Sequence, residues 1–276
     1  MNEKNTIQNM ALYCDFENVA LGVKDAKYSA FDIQKVLERL LLKGNIVVKK
    51  AYCDWGRYKE FKASMHEAAF ELIDIPHVRY SGKNSADIRM VVDALDLCYT
   101  KAHVDTFIII SGDSDFSPLV SKLRENNKVV IGVGVKNSTS DLLTSNCDEF
   151  IYYDDLVRKT EKPKNAKSER PAAKPKKKPV PGAEEAGELE ERRLNGLDLV
   201  LDTIDDLFRG RGDEEKVWGA MVQQTLKRRR PDFSESFHGY RSFTELLKDA
   251  EARGIVGLEL DEKSGGYIIT SIADDT

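Results

Sequence analysis

No apolar run in the sequence approaches the roughly 20 residues that a membrane-spanning helix needs. The opening Met1-Asn2-Glu3-Lys4-Asn5 also lacks the basic-then-apolar form of a secretory signal, so a cytoplasmic protein with no membrane partner is expected. Cysteine is sparse. Cys14, Cys53, Cys98 and Cys147 are widely separated with no Cys-x-x-Cys pair, which speaks against a disulfide framework and a thiolate zinc site and leaves four reduced core residues. The histidines His66, His77, His103 and His238 show no metal-ligand spacing, and none accompanies a nucleophile. Gly132-x-Gly134 falls inside a strand-like run and is no dinucleotide fingerprint. Solenoid-type repeats are missing as well.

With 276 residues, 41% of them hydrophobic, the chain can form two domains that each bury a core. Residues 158 to 178 carry ten Lys/Arg against two Glu, although the net charge of the chain is -5, so the segments to either side are acidic. Such a basic stretch is either a solvated linker or an attractor of polyanions through counterion release. Residues 158 to about 190 are rich in Pro, Lys, Ala and Glu with little to bury, and read as an extended linker. The expected organisation is therefore a domain over 1–157, a basic disordered linker over 158–192 and a second domain over 193–276.

Residues 10 to 153 alternate apolar runs with amphipathic stretches, the pattern of parallel strands joined by crossover helices. Strands are expected near 10–15, 46–53, 75–80, 105–111, 128–134 and 149–153. Helices are expected near 31–43, 58–73, 85–101, 116–126 and 140–146. The most informative stretch is Ser111-Gly112-Asp113-Ser114-Asp115-Phe116, which follows the pure apolar run Phe107 to Ile110. An earlier run, Met10 to Cys14, ends in Asp15-Phe16-Glu17-Asn18. If the strand order reverses between the first and fourth strands, Asp15 and Asp113 flank the switch point where open α/β sheets place their ligand crevice. Asp87 lies one turn before the helical stripe Val91, Ala94 and Cys98 and on the same side, near the sheet. Asp93 is rotated away.

Asp15, Asp87, Asp113 and Asp115 thus come from three segments toward one edge. Clustered carboxylates raise one another's pKa, so such a pocket is costly without a cation. Oxygen-only ligands suit Mg²⁺ or Mn²⁺, and the natural chemistry is phosphodiester hydrolysis. Asn18 could hold a metal-bound water or orient Asp15, and Lys83 could meet a substrate phosphate. Any single Asp at a strand end can instead be a turn former or helix cap, Asp115 above all.

These residues resemble a known family. Asp15-Phe16-Glu17-Asn18, Lys83 with Asp87, and Ser111-Gly112-Asp113-Ser114-Asp115-Phe116 look like the signatures of the NYN domain of LabA-like proteins, within the PIN-like nuclease superfamily, over about residues 8 to 155. The resemblance implies a PIN-like three-layer α/β/α fold and a metal-dependent ribonuclease. It places Asp15, Asp87 and Asp113 at the matching acidic positions with Asp115 as a fourth, and implies 5′-phosphate and 3′-hydroxyl products. Some LabA-like members are known mainly as regulators.

In the second domain, Leu194, Leu197, Leu201, Ile204 and Leu207 make one helical face and Val217, Met221 and Thr225 another. Ser242 and Glu245 form a capping box before a third helix. Residues 254–260 and 265–270 read as a hairpin, and three helices followed by a hairpin suggest a winged helix-turn-helix. Trp218 to Met221, Lys227 to Phe233 and Phe237 to Phe243 are similar to the OST-HTH, or LOTUS, domain over about residues 193 to 272. That similarity implies RNA binding, including G-rich structured RNA, and protein contacts. Lys227, Arg228, Arg229 and Arg230 form a cationic cluster to which Tyr240 could add stacking and Arg241 a phosphate contact. Basic residues at a helix C-terminus also complement its dipole. The leading expectation is a metal-dependent endoribonuclease tethered to an RNA-recognition module. The alternatives are a non-catalytic RNA-binding or protein-interaction regulator and a small-molecule phosphohydrolase.

Overall fold

The structure, a computed structural model, describes residues 8–76, 84–158, 183–210, 216–262 and 264–272. The chain divides into two compact units, Met1–Glu161 and Lys162–Thr276. Among the described residues no helix is long and apolar enough to cross a membrane.

The first unit is built on strands β1 (Gln8–Asp15), β2 (Gly44–Cys53), β3 (Glu71–Asp74), β4 (Thr106–Ile110), β5 (Val129–Gly134) and β6 (Glu149–Tyr152). All pair in parallel, in the order β3-β2-β1-β4-β5-β6. Helices α1 (Phe16–Asp25), α2 (Ile33–Leu41), α3 (Lys62–Glu67), α4 (Ser85–Thr100), α5 (Ser117–Glu125), α6 (Asp141–Asn146) and α7 (Tyr153–Arg158) complete it. Strand periodicity explains the three layers, because successive side chains of β1 point to opposite faces. Met10, Leu12 and Cys14 pack with Val19, Val23, Val36 and Leu40. Ala11 and Tyr13 pack with Met90, Ala94, Leu119 and Val120. A sheet covered on both faces needs apolar residues at every strand position, which is why β4 reads as Thr-Phe-Ile-Ile-Ile with all five buried. The expected PIN-like α/β/α arrangement is therefore present. All four cysteines are free and buried.

Two helices were not expected. Phe16–Asp25 is helical because the Asp15 carboxylate caps it, accepting from Asn18 N, while Phe16, Val19, Gly22 and Val23 turn inward. Tyr153–Arg158 follows β6 directly. The segment expected as a helix over 58–73 and a strand over 75–80 differs more. A 3-10 turn (Lys59–Phe61) and α3 end at Glu67, Ala69 reverses the chain at φ 58°, and β3 begins at Glu71. Residues 77–80 of the expected strand lie outside the described residues.

The second unit contains α8 (Ala183–Gly210), β7 (Val217–Trp218), α9 (Gly219–Arg229), α10 (Phe243–Ala252), β8 (Val256–Leu260) and β9 (Tyr267–Ile272). Its antiparallel sheet has the order β7-β9-β8, the element pattern of a winged helix-turn-helix. Leu197, Val200, Ile204, Val222, Leu226, Leu246 and Leu247 form the core, with Leu194 left exposed. Ser242 caps α10 by accepting from Glu245 N, and the Glu245 carboxylate accepts from Arg241 N. Val217, expected on a helix face, instead pairs as strand with Ile269. The expected linker over 158–192 also needs correction, because α7 holds Arg158 and α8 begins at Ala183. The Ala- and Glu-rich stretch favours helix, and Arg192 pairs with Glu188 at i,i+4 while Glu190 pairs with Arg253, which follows α10.

Candidate functional site

β1 and β4 are neighbours in the middle of the first sheet, and the chain leaves β1 toward β2 on one side and β4 toward β5 on the other. Their C-terminal ends therefore bound the switch point at which a parallel sheet opens a crevice. The register sets Cys14 opposite Ile110, so that Asp15 and Ser111 emerge side by side. Ser111 Oγ donates to Asp15 Oδ2 at 3.0 Å, and Asn18 N donates to Asp15 Oδ1 at 3.3 Å. Asn18 in turn accepts from Gly112 N at 2.9 Å through its side-chain oxygen, which ties α1 to the loop after β4. The Asn18 side chain thus braces the loop, while its backbone N–H holds Asp15.

Gly112 has no room for a side chain, because a Cβ there would lie 2.2 Å from Ser138 O. The chain then turns through a 3-10 turn (Ser114–Phe116) that Asp113 caps, accepting from Asp115 N at 2.9 Å. Sequence reasoning gave the capping ambiguity to Asp115, whereas the geometry gives the cap to Asp113. Asp115 is exposed and accepts from Asn84 Nδ2 at 3.4 Å. Asp87, in the first turn of α4, is half-buried with no hydrogen bond or ion pair among the described residues.

These acids act on one another electrostatically. Burial, then Asp87, and more weakly Asp113, push the Asp15 carboxyl up to about 7, against the lowering effect of its Asn18 and Ser111 hydrogen bonds. Asp15 is only 7% exposed. Burial followed by Asp113, Asp115 and Glu17 also raises Asp87. Glu17, which sequence reasoning passed over, contributes to this field while pairing with Arg57 at 2.8 Å. Ser111 was likewise missed, since a serine after a strand looks like any turn former. Asp93 belongs elsewhere. It accepts from Tyr52 OH and pairs with Lys50 and Arg89.

Oxygen donors, mutual repulsion and the lack of a paired cation among the described residues fit a hard divalent ion chemically. No three His, Cys, Asp or Glu side chains among the described residues are placed to hold one ion together. Mg²⁺ does not require that, because it commonly binds through one or two carboxylates, several waters and substrate phosphate.

The other expected contacts divide. Lys83 lies outside the described residues. Lys227, Arg228, Arg229 and Arg230 are all exposed at the end of α9, with Lys227 near Glu235 and Arg229 paired to Asp206. Arg241 is exposed. Tyr240 does not serve as a stacking platform. It is 4% exposed, its hydroxyl donates to Asp249 at 2.7 Å, and Arg193 covers its ring, because an aromatic this large stabilises the small core of the unit.

A doubly wound parallel sheet whose switch point is lined with carboxylates defines a PIN-like α/β domain. The chain belongs to the NYN domain family, which matches residues 9–154, more than half of its length. That family contains nucleases, so membership supports a nuclease-like function at the level of the family, and its nucleases are typically dependent on divalent metal. The chain is similar to an uncharacterized protein of Methanocaldococcus jannaschii, 28% identical over 120 residues that make up 44% of this chain and 47% of that protein. It thus spans about half the length of this curated relative. Among solved structures it is similar to a protein of unknown function from Vibrio parahaemolyticus, at 28% identity and a TM-score of 0.49, covering 56% of this chain and 98% of that one.

Proposed function

We propose that the protein is a metal-dependent ribonuclease, acting as an endoribonuclease, whose second unit is a LOTUS-type RNA-recognition module joined to the nuclease by a basic linker. The observation that supports this reading is that Asp15 and Asp113 follow the adjacent ends of β1 and β4, where burial and the charges of Asp87 and, more weakly, Asp113 raise Asp15 to about 7. One or two of Asp15, Asp87, Asp113 and Asp115, with waters and a substrate phosphate, would hold Mg²⁺ or Mn²⁺, which when bound supplies Lewis-acid activation of water and charge neutralisation on a phosphodiester. Ser111 and Asn18 keep Asp15 pointed into the crevice, each through a hydrogen bond. Gly112, by allowing close approach to the Ser138–Thr139 backbone, sets where Asp113 emerges. Exposed Arg228, Arg230 and Arg241, with Lys227 and Arg229, supply phosphate contacts on the second unit, and Lys83 supplies one on the first. Tethering the two activities raises the local concentration of RNA at the carboxylates. Structured or G-rich RNA is the substrate class that the LOTUS resemblance favours, and protein partners are a further role for the same unit.

The test is incubation of the full chain with single-stranded and structured RNA in Mg²⁺, Mn²⁺ or EDTA. Cleavage that requires metal and disappears in Asp113→Asn, with an unchanged melting curve, is expected. Equal cleavage by the variant, or none by the wild type under either metal, would remove the catalytic claim. A second reading, a regulator that binds RNA without cutting it, is favoured by one observation: Asp15 and Asp113 both cap helical turns and so have structural work apart from chemistry. It predicts RNA affinity without turnover.

A further inference from the structure

Phe16, the residue after Asp15, ties the acidic turn to the loop that follows β2. Its ring packs against Trp55 at 5.0 Å between centroids, Tyr58 at 5.6 Å and Phe61 at 5.1 Å. The loop is braced by its own acids and by β3. Trp55 N donates to Asp74 Oδ1 at 2.9 Å, Gly56 N to Asp54 Oδ1 at 3.0 Å and Arg57 N to Asp54 O at 3.0 Å. A turn held this way presents Arg57 in a defined place. Its guanidinium pairs with Glu17, two positions after Asp15, and lies 5.9 Å from the centroid of the Tyr58 ring. Burial raises the Tyr58 hydroxyl, followed by Glu17 and more weakly Asp15, against the lowering effect of Arg57, so loop and acids share one field. Arg57 and Tyr58, with Leu21 and Lys24 of α1, line a pocket of about 360 Å³. Its size falls in the range of pockets that hold small organic groups, ~300–1,000 Å³.

These features select an occupant. The Arg57 side chain is 52% exposed, and an ion pair that open contributes little to stability. Glu17 also takes only part of the guanidinium, which has five N–H donors in a planar fork that matches a phosphate. Lys24 is exposed and in no ion pair among the described residues, and against these two cations the lining sets one acid, Glu60. The pocket thus joins cationic groups to an apolar wall of Leu21, 46% exposed, and the Tyr58 ring. A strand cut at the carboxylates carries a phosphate on each neighbouring nucleotide, and the acids repel those phosphates unless a cation stands beside them. We propose that Arg57 grips a phosphate of the RNA strand next to the one attacked, and that the pocket between α1 and Tyr58 receives the attached nucleoside with its base unpaired. The base lies against Leu21 and Tyr58, a face that stacking and pairing would occupy in a duplex. The assignment rests on the ribonuclease reading for the identity of its ligand.

The experiment is photocrosslinking of the full-length protein in Mg²⁺ to a single-stranded oligoribonucleotide that carries one 4-thiouridine at successive positions. Attached peptides are mapped by mass spectrometry, and cleavage is followed in parallel. Crosslinks within residues 20–31 or 55–61 are expected, and they disappear when the strand is annealed to its complement. Arg57→Gln, at an exposed position, keeps the fold and lowers their yield by about tenfold. Glu17→Gln frees the guanidinium and raises the yield by about twofold to fivefold. Loss of a merely structural ion pair would move both variants the same way, so a fall in both, or an unchanged yield in Arg57→Gln, overturns the assignment. Crosslinks only elsewhere in the chain overturn it too and leave the pocket to another anion, such as an acidic peptide. RNA cleavage without crosslinks in these segments removes the subsite alone. Crosslinks there in a protein that never cleaves sustain the subsite and remove the nuclease reading.

Discussion

Ser111 Oγ donates to Asp15 Oδ2 at 3.0 Å across the seam between β1 and β4, joining side chains 96 positions apart in a fully buried contact. This bond both orients the most buried acid of the site and opposes the rise in its proton affinity. Ser111→Ala should therefore destabilise the protein at pH 8 by about 1.5–3 kcal/mol, the range for a hydrogen bond to a charged group, and raise the Asp15 pKa further. Urea denaturation at pH 8 measures the first effect. An unchanged midpoint would show that solvent replaces the serine.

Asp15 also makes stability depend on pH. Its folded pKa of about 7 stands above the ordinary carboxyl value of 3.8, so between these values the folded state binds more protons than the unfolded state. Stability then falls as pH rises through this window, and the deficit is fully developed above pH 7. Asp15→Asn removes the charge and keeps one acceptor oxygen, for Asn18 N, while its amide group can donate to a Ser111 hydroxyl turned to accept. In EDTA it should stabilise the protein at pH 8 by on the order of 2–4 kcal/mol, with little effect near pH 4. Thermal melts of both proteins across that range provide the check, and a pH-independent difference would contradict the assignment.

Gly112→Ala tests the scaffold rather than the acids. The added Cβ would meet backbone atoms, Ser138 O at 2.2 Å and Thr139 Cα at 2.9 Å, which cannot rotate away. A loss of about 1–3 kcal/mol is expected, because backbone must shift to admit one methyl group. In metal-dependent RNA cleavage the variant should also lose activity at a temperature where it is still folded, since Asp113 follows directly.

In the second unit, exposed arginines and a buried tyrosine should separate. Arg228→Glu with Arg230→Glu should weaken RNA binding and make the slope of log affinity against log salt shallower by about two, with little effect on melting. Tyr240→Phe should do the reverse. It loses the bond to Asp249, costs about 1 kcal/mol and leaves RNA affinity unchanged. Filter binding at several salt concentrations and thermal melts distinguish the two outcomes.

Much of the first unit was legible because strands covered on both faces must be apolar throughout, as Phe107 to Ile110 is. Acid placed directly after such a run is carried to the sheet edge, and Asp15, Asp113 and Asp115 could be placed from the sequence alone. Asp87 followed from helical spacing. What escaped was set by packing and by caps, turns and ion pairs that leave a weak pattern in the sequence. Helix α1 contains Gly22 and β-branched Val19 and Val23, weak helix formers, yet forms because Asp15 caps it and those residues pack inward. The turn before β3 depends on Ala69 at positive φ, where a sequence reader looks for glycine or asparagine. Tyr240 gave no signal of burial, since it lies among polar and charged residues. The stretch from Ala183 looked like linker because its helix is held by ion pairs that local hydropathy does not register.

Asp15 and Asp113 each spend one oxygen on holding a helical turn together. A descendant that gave up turnover would still lose stability by trading either for alanine, whereas asparagine or serine would keep the turn and silence the chemistry. Asparagine at these two strand ends is thus the expected fingerprint of a retired member of this fold, and an intact pair of acids speaks for architecture as much as for reaction.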